Sequence, residues 1–129
     1  MRLQVEPANC AITDIKLHQI SRILEISFDN GETFELPCEY LRVYTPSAEA
    51  LGHSPGQEIL QTGKEDVNIS AIKPVGNYGI EPTFTDGHTT GIYSWDMLYK
   101  LGSEYQTLWT NYLDALKKAG HHHKQTIQN

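Results

Sequence analysis

The chain has 129 residues, 39% of them hydrophobic and 20% charged, which fits one globular domain able to bury a core. Ten Lys and Arg against sixteen Asp and Glu leave a net charge of −6, which argues against a nucleic-acid groove and disfavours an anionic membrane surface. No stretch approaches the roughly 20 apolar residues of a membrane span and no leader peptide is expected, so the reading is cytoplasmic, with Cys10 and Cys38 as free thiols.

Residues 1–11 carry Pro7 and no sustained period, and are expected to form a loose arm. From Ile12 the pattern becomes that of strands. Ile15 and Leu17 alternate with Asp14, Lys16 and His18, and Leu24, Ile26 and Phe28 alternate with Glu25 and Ser27. Asp29, Asn30 and Gly31 tolerate turn geometry, and Phe34 and Leu36 resume the alternation, which predicts a hairpin over 22–36 ended by Pro37.

Cys38 to Val43 reads as a short helix or turn, and Thr45-Pro46 opens another that Gly52 would close. The stretch from His53 to Lys64 has no period; loops of that length in compact domains tend to be functional or mobile. Val67, Ile69 and Ala71 alternate as a further strand before a turn or bulge over Lys73 to Asn77. Two short apolar and aromatic runs then flank Asp86-Gly87, predicting a hairpin with His88 at its mouth, and Pro82 marks its first strand as an edge or a bulge.

The second run passes into a helix near Ser94, and Gly102 is expected to separate that helix, over Asp96 to Leu101, from a longer one. Tyr105, Leu108, Trp109, Tyr112, Leu113 and Leu116 recur at spacings of three and four, giving one apolar stripe to be buried as core. Ser103 and Gln106 fit a capping box, and Gly120 suits the position just past the helix end. Residues 121–129 read as a disordered tail whose three histidines are either native or an added tag. The fold class is α+β: a single domain over 12–120 in which roughly six antiparallel strands pack against the C-terminal amphipathic helix.

Two loop histidines, His53 and His88, could converge with Cys38 or Asp86 on a divalent metal. No CxxC or HxxxH spacing is present, so no native metal site is expected. A Cys38–His88 nucleophile pair lacks an identifiable oxyanion loop or orienting residue. Gly63-Lys64 is no phosphate loop, because Glu58 stands where its first glycine is needed. Tyr44, Tyr78, Tyr93 and Trp95 could line a pocket or pack as core.

Leu41 to Glu49, Gly52-His53, Ile72 to Tyr78, Asp86-Gly87-His88 and Gly91 to Trp95 together resemble the gamma-butyrobetaine hydroxylase-like N-terminal domain family, over about Ile12 to Leu101. The resemblance implies a small β-rich unit that stands alone in bacteria, precedes the catalytic domain of carnitine-pathway oxygenases, and is fused elsewhere to iron–sulfur carrier ATPases. In the oxygenases it is a zinc module of three clustered cysteines and one histidine. His88 matches that histidine, while Thr45 and Ser47 stand in a stretch without cysteine. The oxygenase iron ligands lie in a separate domain for which 129 residues leave no room. The resemblance therefore implies a non-catalytic accessory domain without a cofactor, binding a protein partner or small ligand through the His53 loop and the His88 hairpin, with Arg42, Tyr44, Asp86, Tyr93 and Trp95 as further contacts. An adaptor working with iron–sulfur assembly proteins, or a metal-dependent enzyme at the same residues, are the alternatives.

Overall fold

The computed structural model describes residues 11–46, 62–87, 91–121 and 123. The N-terminal arm, the helix expected to run on to Gly52, His53 and His88 lie outside these residues. Among the described residues, six antiparallel strands form two three-stranded sheets, and three helices complete an α+β domain.

The first sheet is β1 (Ile12–His18), β2 (Ile23–Phe28) and β3 (Thr33–Pro37), in that order. Its register follows the period-2 pattern: Ile26 pairs with Phe34 and Leu24 with Leu36. Leu24, Ile26, Phe28 and Leu36 are all buried. The tight return at Asp29 to Gly31 is made possible by Gly31 at φ 89°. Pro37 ends β3 and directly precedes α1 (Cys38–Val43), a six-residue helix whose every residue is buried.

The second sheet is β4 (Ile69–Val75), β5 (Gly79–Phe84) and β6 (Tyr93–Ser94). The turn expected over Lys73 to Asn77 is shorter than the sequence suggests. β4 runs through Pro74 to Val75, because an edge strand tolerates a residue without N–H, and Gly76 at φ 53° makes the return. Pro82 lies in the central strand of this sheet, not at its edge. Among the described residues β6 pairs only Gly79 and Ile80, so from Glu81 onward β5 has no partner strand on that side, which accommodates the proline. β5 ends at Phe84 and β6 begins at Tyr93, so Asp86-Gly87 alone does not join the two strands. Gly87 (φ 91°) donates its N–H to Phe84 O there.

Ser94 caps α2 (Trp95–Ser103), its hydroxyl accepting from Met97 N–H at 3.1 Å. Gly102 lies within α2, and the break before α3 (Tyr105–Lys118) falls at Glu104. The glycine answers a packing demand, since a Cβ there would intrude on the Phe34 ring. The expected capping box is not formed: the Ser103 hydroxyl donates to Lys100 O, and α3 starts without a side-chain cap. The far end of α3 is as expected. Gly120 (φ 83°) donates to Lys117 O at 3.1 Å and His121 N–H to Leu116 O at 2.9 Å, the paired bonds of a Schellman turn.

The stripe on α3 faces inward, with Tyr112 and Leu116 buried and Tyr105, Leu108, Trp109 and Leu113 half-buried against the core. Much of its contact is with α1 rather than with a sheet. Tyr40 meets Tyr105 edge-on at 4.9 Å between ring centroids and Trp109 at 6.1 Å.

Gly102→Ala separates two effects of known size. Helix propensity would gain up to ~1 kcal/mol, whereas overpacking against Phe34 should cost roughly 1–3 kcal/mol. A net destabilisation in urea unfolding is expected; a more stable variant would mean that Phe34 moves aside freely.

Candidate functional site

Because α1 is buried along its whole length, its two charged side chains, Glu39 and Arg42, must find partners inside the protein. The Arg42 Nε donates to Asp86 Oδ2 at 2.9 Å, from a side chain only 2% exposed. The Lys64 ammonium reaches the same carboxylate oxygen at 2.8 Å. Asp86 is thus pulled onto α1 from its corner after β5, and the chain leaves this clamp through Gly87 toward His88.

Tyr93 closes the clamp from the side. It is fully buried, its hydroxyl donates to Leu41 O, and Thr45 bonds the same hydroxyl. Burial pushes its pKa well up, a shift that Thr45 and Arg42 oppose and Asp86 reinforces. Gly91 permits the close pass of the returning chain over Thr45 and Pro46. Arg42, Asp86 and Tyr93 are therefore brought together, with Lys64 and Thr45 added. Lys64 was discounted in the sequence as part of a failed phosphate loop; only the fold reveals it as a second cation on Asp86.

The other candidates are elsewhere. Tyr44 is buried with its hydroxyl donating to Leu108 O at 2.7 Å, and so joins α1 to α3. Trp95 is half-buried at the opposite end of β5 from Asp86, its indole N–H on Asn77 O at 2.8 Å. Tyr78, whose carbonyl accepts from the Trp95 backbone N–H, is 55% exposed, and Ile92 is also exposed. Cys38 is buried with Sγ 3.7 Å from Asn68 Oδ1, and desolvation pushes its thiol up to about 11. A thiol so held is neither a ready nucleophile nor a ready thiolate ligand. Among the described residues no group of three or more His, Cys, Asp or Glu could hold a metal ion. No described helix is long and apolar enough to cross a membrane.

A second polar cluster went unseen in the sequence. Glu39 Oε2 accepts from the Tyr112 hydroxyl at 2.7 Å and from His123 Nε2 at 2.6 Å. His123, assigned by the sequence to a disordered tail, is only 5% exposed and stands edge-on to Trp109 and Tyr112. The available signal was a pair of opposite charges, Glu39 and Arg42, inside a short, otherwise largely apolar helix, CEYLRV.

The family model described as "Gamma-butyrobetaine hydroxylase-like, N-terminal" matches residues 15–99. An NMR solution structure of a protein 50% identical to this chain superposes with a TM-score of 0.77, covering 93% of this chain and 89% of the other. A second NMR structure, 38% identical, gives 0.76 over 87% and 88%. A crystal structure of a protein of unknown function from Acidithiobacillus ferrooxidans, of the DUF971 family, is 38% identical with a TM-score of 0.61, covering 72% of this chain and 93% of that one. No curated protein matches.

The raised pKa values fix the sign of an alkaline limb. Cys38 moves from 9.0 to about 11 and Tyr44 from 10.0 to about 12, both through burial of the neutral form. A group whose folded pKa is raised contributes its full stabilisation below the unfolded value and loses it as pH climbs to the folded value. Unfolding free energy should therefore begin to fall above pH 9.0 and fall more steeply above 10.0. Denaturant titrations across that range test this, and a flat profile through 11 would contradict the burial of these groups.

Proposed function

This chain belongs to the gamma-butyrobetaine hydroxylase-like N-terminal family, and from that premise we propose that it is a non-catalytic accessory domain that binds a protein partner or small ligand through the His88 hairpin and the His53 loop. One observation carries the reading: the buried Arg42 holds Asp86 at 2.9 Å, so the corner that leads into His88 is tied to the most buried helix of the fold. A corner fixed to the core in this way suits recognition, because binding residues are commonly carried on loops that a rigid scaffold positions.

The non-catalytic half of the proposal draws on side-chain chemistry. Cys38 has its thiol pushed up to about 11, and the Tyr44 and Tyr93 hydroxyls are committed to backbone carbonyls. Each of these groups would need freeing before it could act on a substrate. The same thiol lends no support to iron–sulfur ligation by Cys38.

The test is retention of a partner from a lysate of the source cells by wild-type protein and by a His53→Ala, His88→Ala double variant. The wild type should retain a defined species that the variant loses, while the variant's Tm stays within a degree or two of wild type, as for surface positions. Equal retention by both proteins, or a variant that loses its partner only because it unfolds, would remove the two histidines from the binding face.

A further inference from the structure

β1 is an edge strand whose charges match a second copy of itself. Among the described residues it pairs with β2 alone, so its other side carries no strand. Which backbone groups lie on that side follows from β2. Arg22 O accepts from Cys38 N–H and Phe28 N–H donates to Glu32 O, so the even-numbered residues along β2 turn their peptide groups to β3. Ile23, Glu25 and Ser27 therefore turn theirs to β1, where their register partners are His18, Lys16 and Asp14. That leaves Ile15 and Leu17 presenting N–H and C=O at the unpaired side. Their side chains are half-buried, whereas Ile26 and Leu24 opposite them on β2 are fully buried, so the inner face of the sheet runs out of cover at this edge. On the outer face Asp14 and Lys16 stand side by side, Oδ2 to Nζ 3.7 Å, with 53% and 59% of their side chains exposed.

We propose that β1 pairs antiparallel with β1 of a second copy of this chain, about a two-fold axis at Ile15, and so joins two three-stranded sheets into one. An unpaired edge is a template for such addition, and a two-fold contact demands a patch that complements itself. In this register each Asp14 faces the partner's Lys16, and Ile15 meets the partner's Ile15. Because Asp14 and Lys16 turn their peptide groups to β2, they would sit across the seam as a non-hydrogen-bonded pair, the closer kind. The neighbouring register, with Ile15 opposite the partner's Leu17, would set Lys16 against the partner's Lys16. Opposite charges across a seam stabilise and like charges destabilise, so the pattern selects the first register. The irregularity between Ile12 and Asp14 keeps the regular seam short, which makes the dimer a small interface that forms only at high concentration.

Sedimentation of the full chain at low salt, where charge pairs are least screened, tests the seam at concentrations up to about 1 mM. Wild type should show a monomer–dimer equilibrium. D14K and K16D each place like charges at both pairs and should weaken dimerisation about tenfold. D14K should do so although it lowers the net negative charge from −6, a change that would favour association if only the overall charge mattered. D14K/K16D, with the charges exchanged, should dimerise as wild type does, and an equimolar mixture of D14K and K16D should form a heterodimer that neither makes alone. A wild type that stays monomeric throughout overturns the proposal, as do single variants that dimerise like wild type or an exchanged variant that does not recover. Both side chains are exposed, so the single variants should fold; where one does not, the exchanged variant against wild type decides, and its failure to dimerise overturns the seam.

Discussion

Two opposite charges buried on one short helix set the terms for the rest of this structure. α1 has six residues, all buried, and Glu39 and Arg42 are among them. Leaving either without a partner in the interior would cost several kcal/mol, more than a domain with typical stability of about 5–15 kcal/mol can absorb lightly. The fold therefore brings one element to each charge. The corner after β5 delivers Asp86 to Arg42, and α3 with its following turn delivers Tyr112 and His123 to Glu39. Sheet and helix are anchored to α1 at opposite signs of charge.

Tyrosine hydroxyls do the corresponding task for the backbone. A helix leaves its last carbonyls without intrahelical donors, and α1 is too short and too buried for water to serve them. Tyr93 bonds Leu41 O near the end of α1, and Tyr40 bonds Leu101 O near the end of α2 at 2.7 Å. Tyr44 reaches Leu108 O on α3. Each bond joins two elements, and those of Tyr93 and Tyr40 satisfy buried carbonyls near helix ends, which explains why these aromatics carry a polar tip and cannot be read simply as a hydrophobic core or as an open pocket.

What the sequence revealed divides along the range of the interactions involved. The strands around Leu24, Ile26 and Phe34, the capping role of Ser94 and the C-terminal turn at Gly120 depend on residues a few positions apart, and their periods and turn chemistry are legible directly. Gly102 was misread as a helix break because its cause, the Phe34 ring, lies far back in the chain. Pro82 suggested an edge because nothing local reveals that β6 stops after two residues. Within the candidate site, Arg42 and Asp86 drew notice separately, but their contact spans 44 positions and has no periodic signature. Whether Tyr44 and Tyr93 face a ligand or a carbonyl is likewise undecidable from an aromatic residue on a short element. His123 carried no signal at all, since a histidine in a polar tail looks the same docked or free.

The two charges on α1 also differ in where their partners lie, and this bears on what the family unit contains. The family match covers residues 15–99. Arg42 is served from inside it, by Asp86, the carboxylate that Lys64 also reaches. Glu39 lies inside it too, yet its donors, Tyr112 and His123, both lie beyond its end. One buried carboxylate of the matched stretch thus takes its described donors from beyond that stretch, from α3 and the turn that follows it. A chain of this family with another C-terminal continuation would have to supply different donors at the position of Glu39 or place an uncharged residue there. α1 thus has one of its charges served from within the matched stretch and the other by α3 and the turn that follows it.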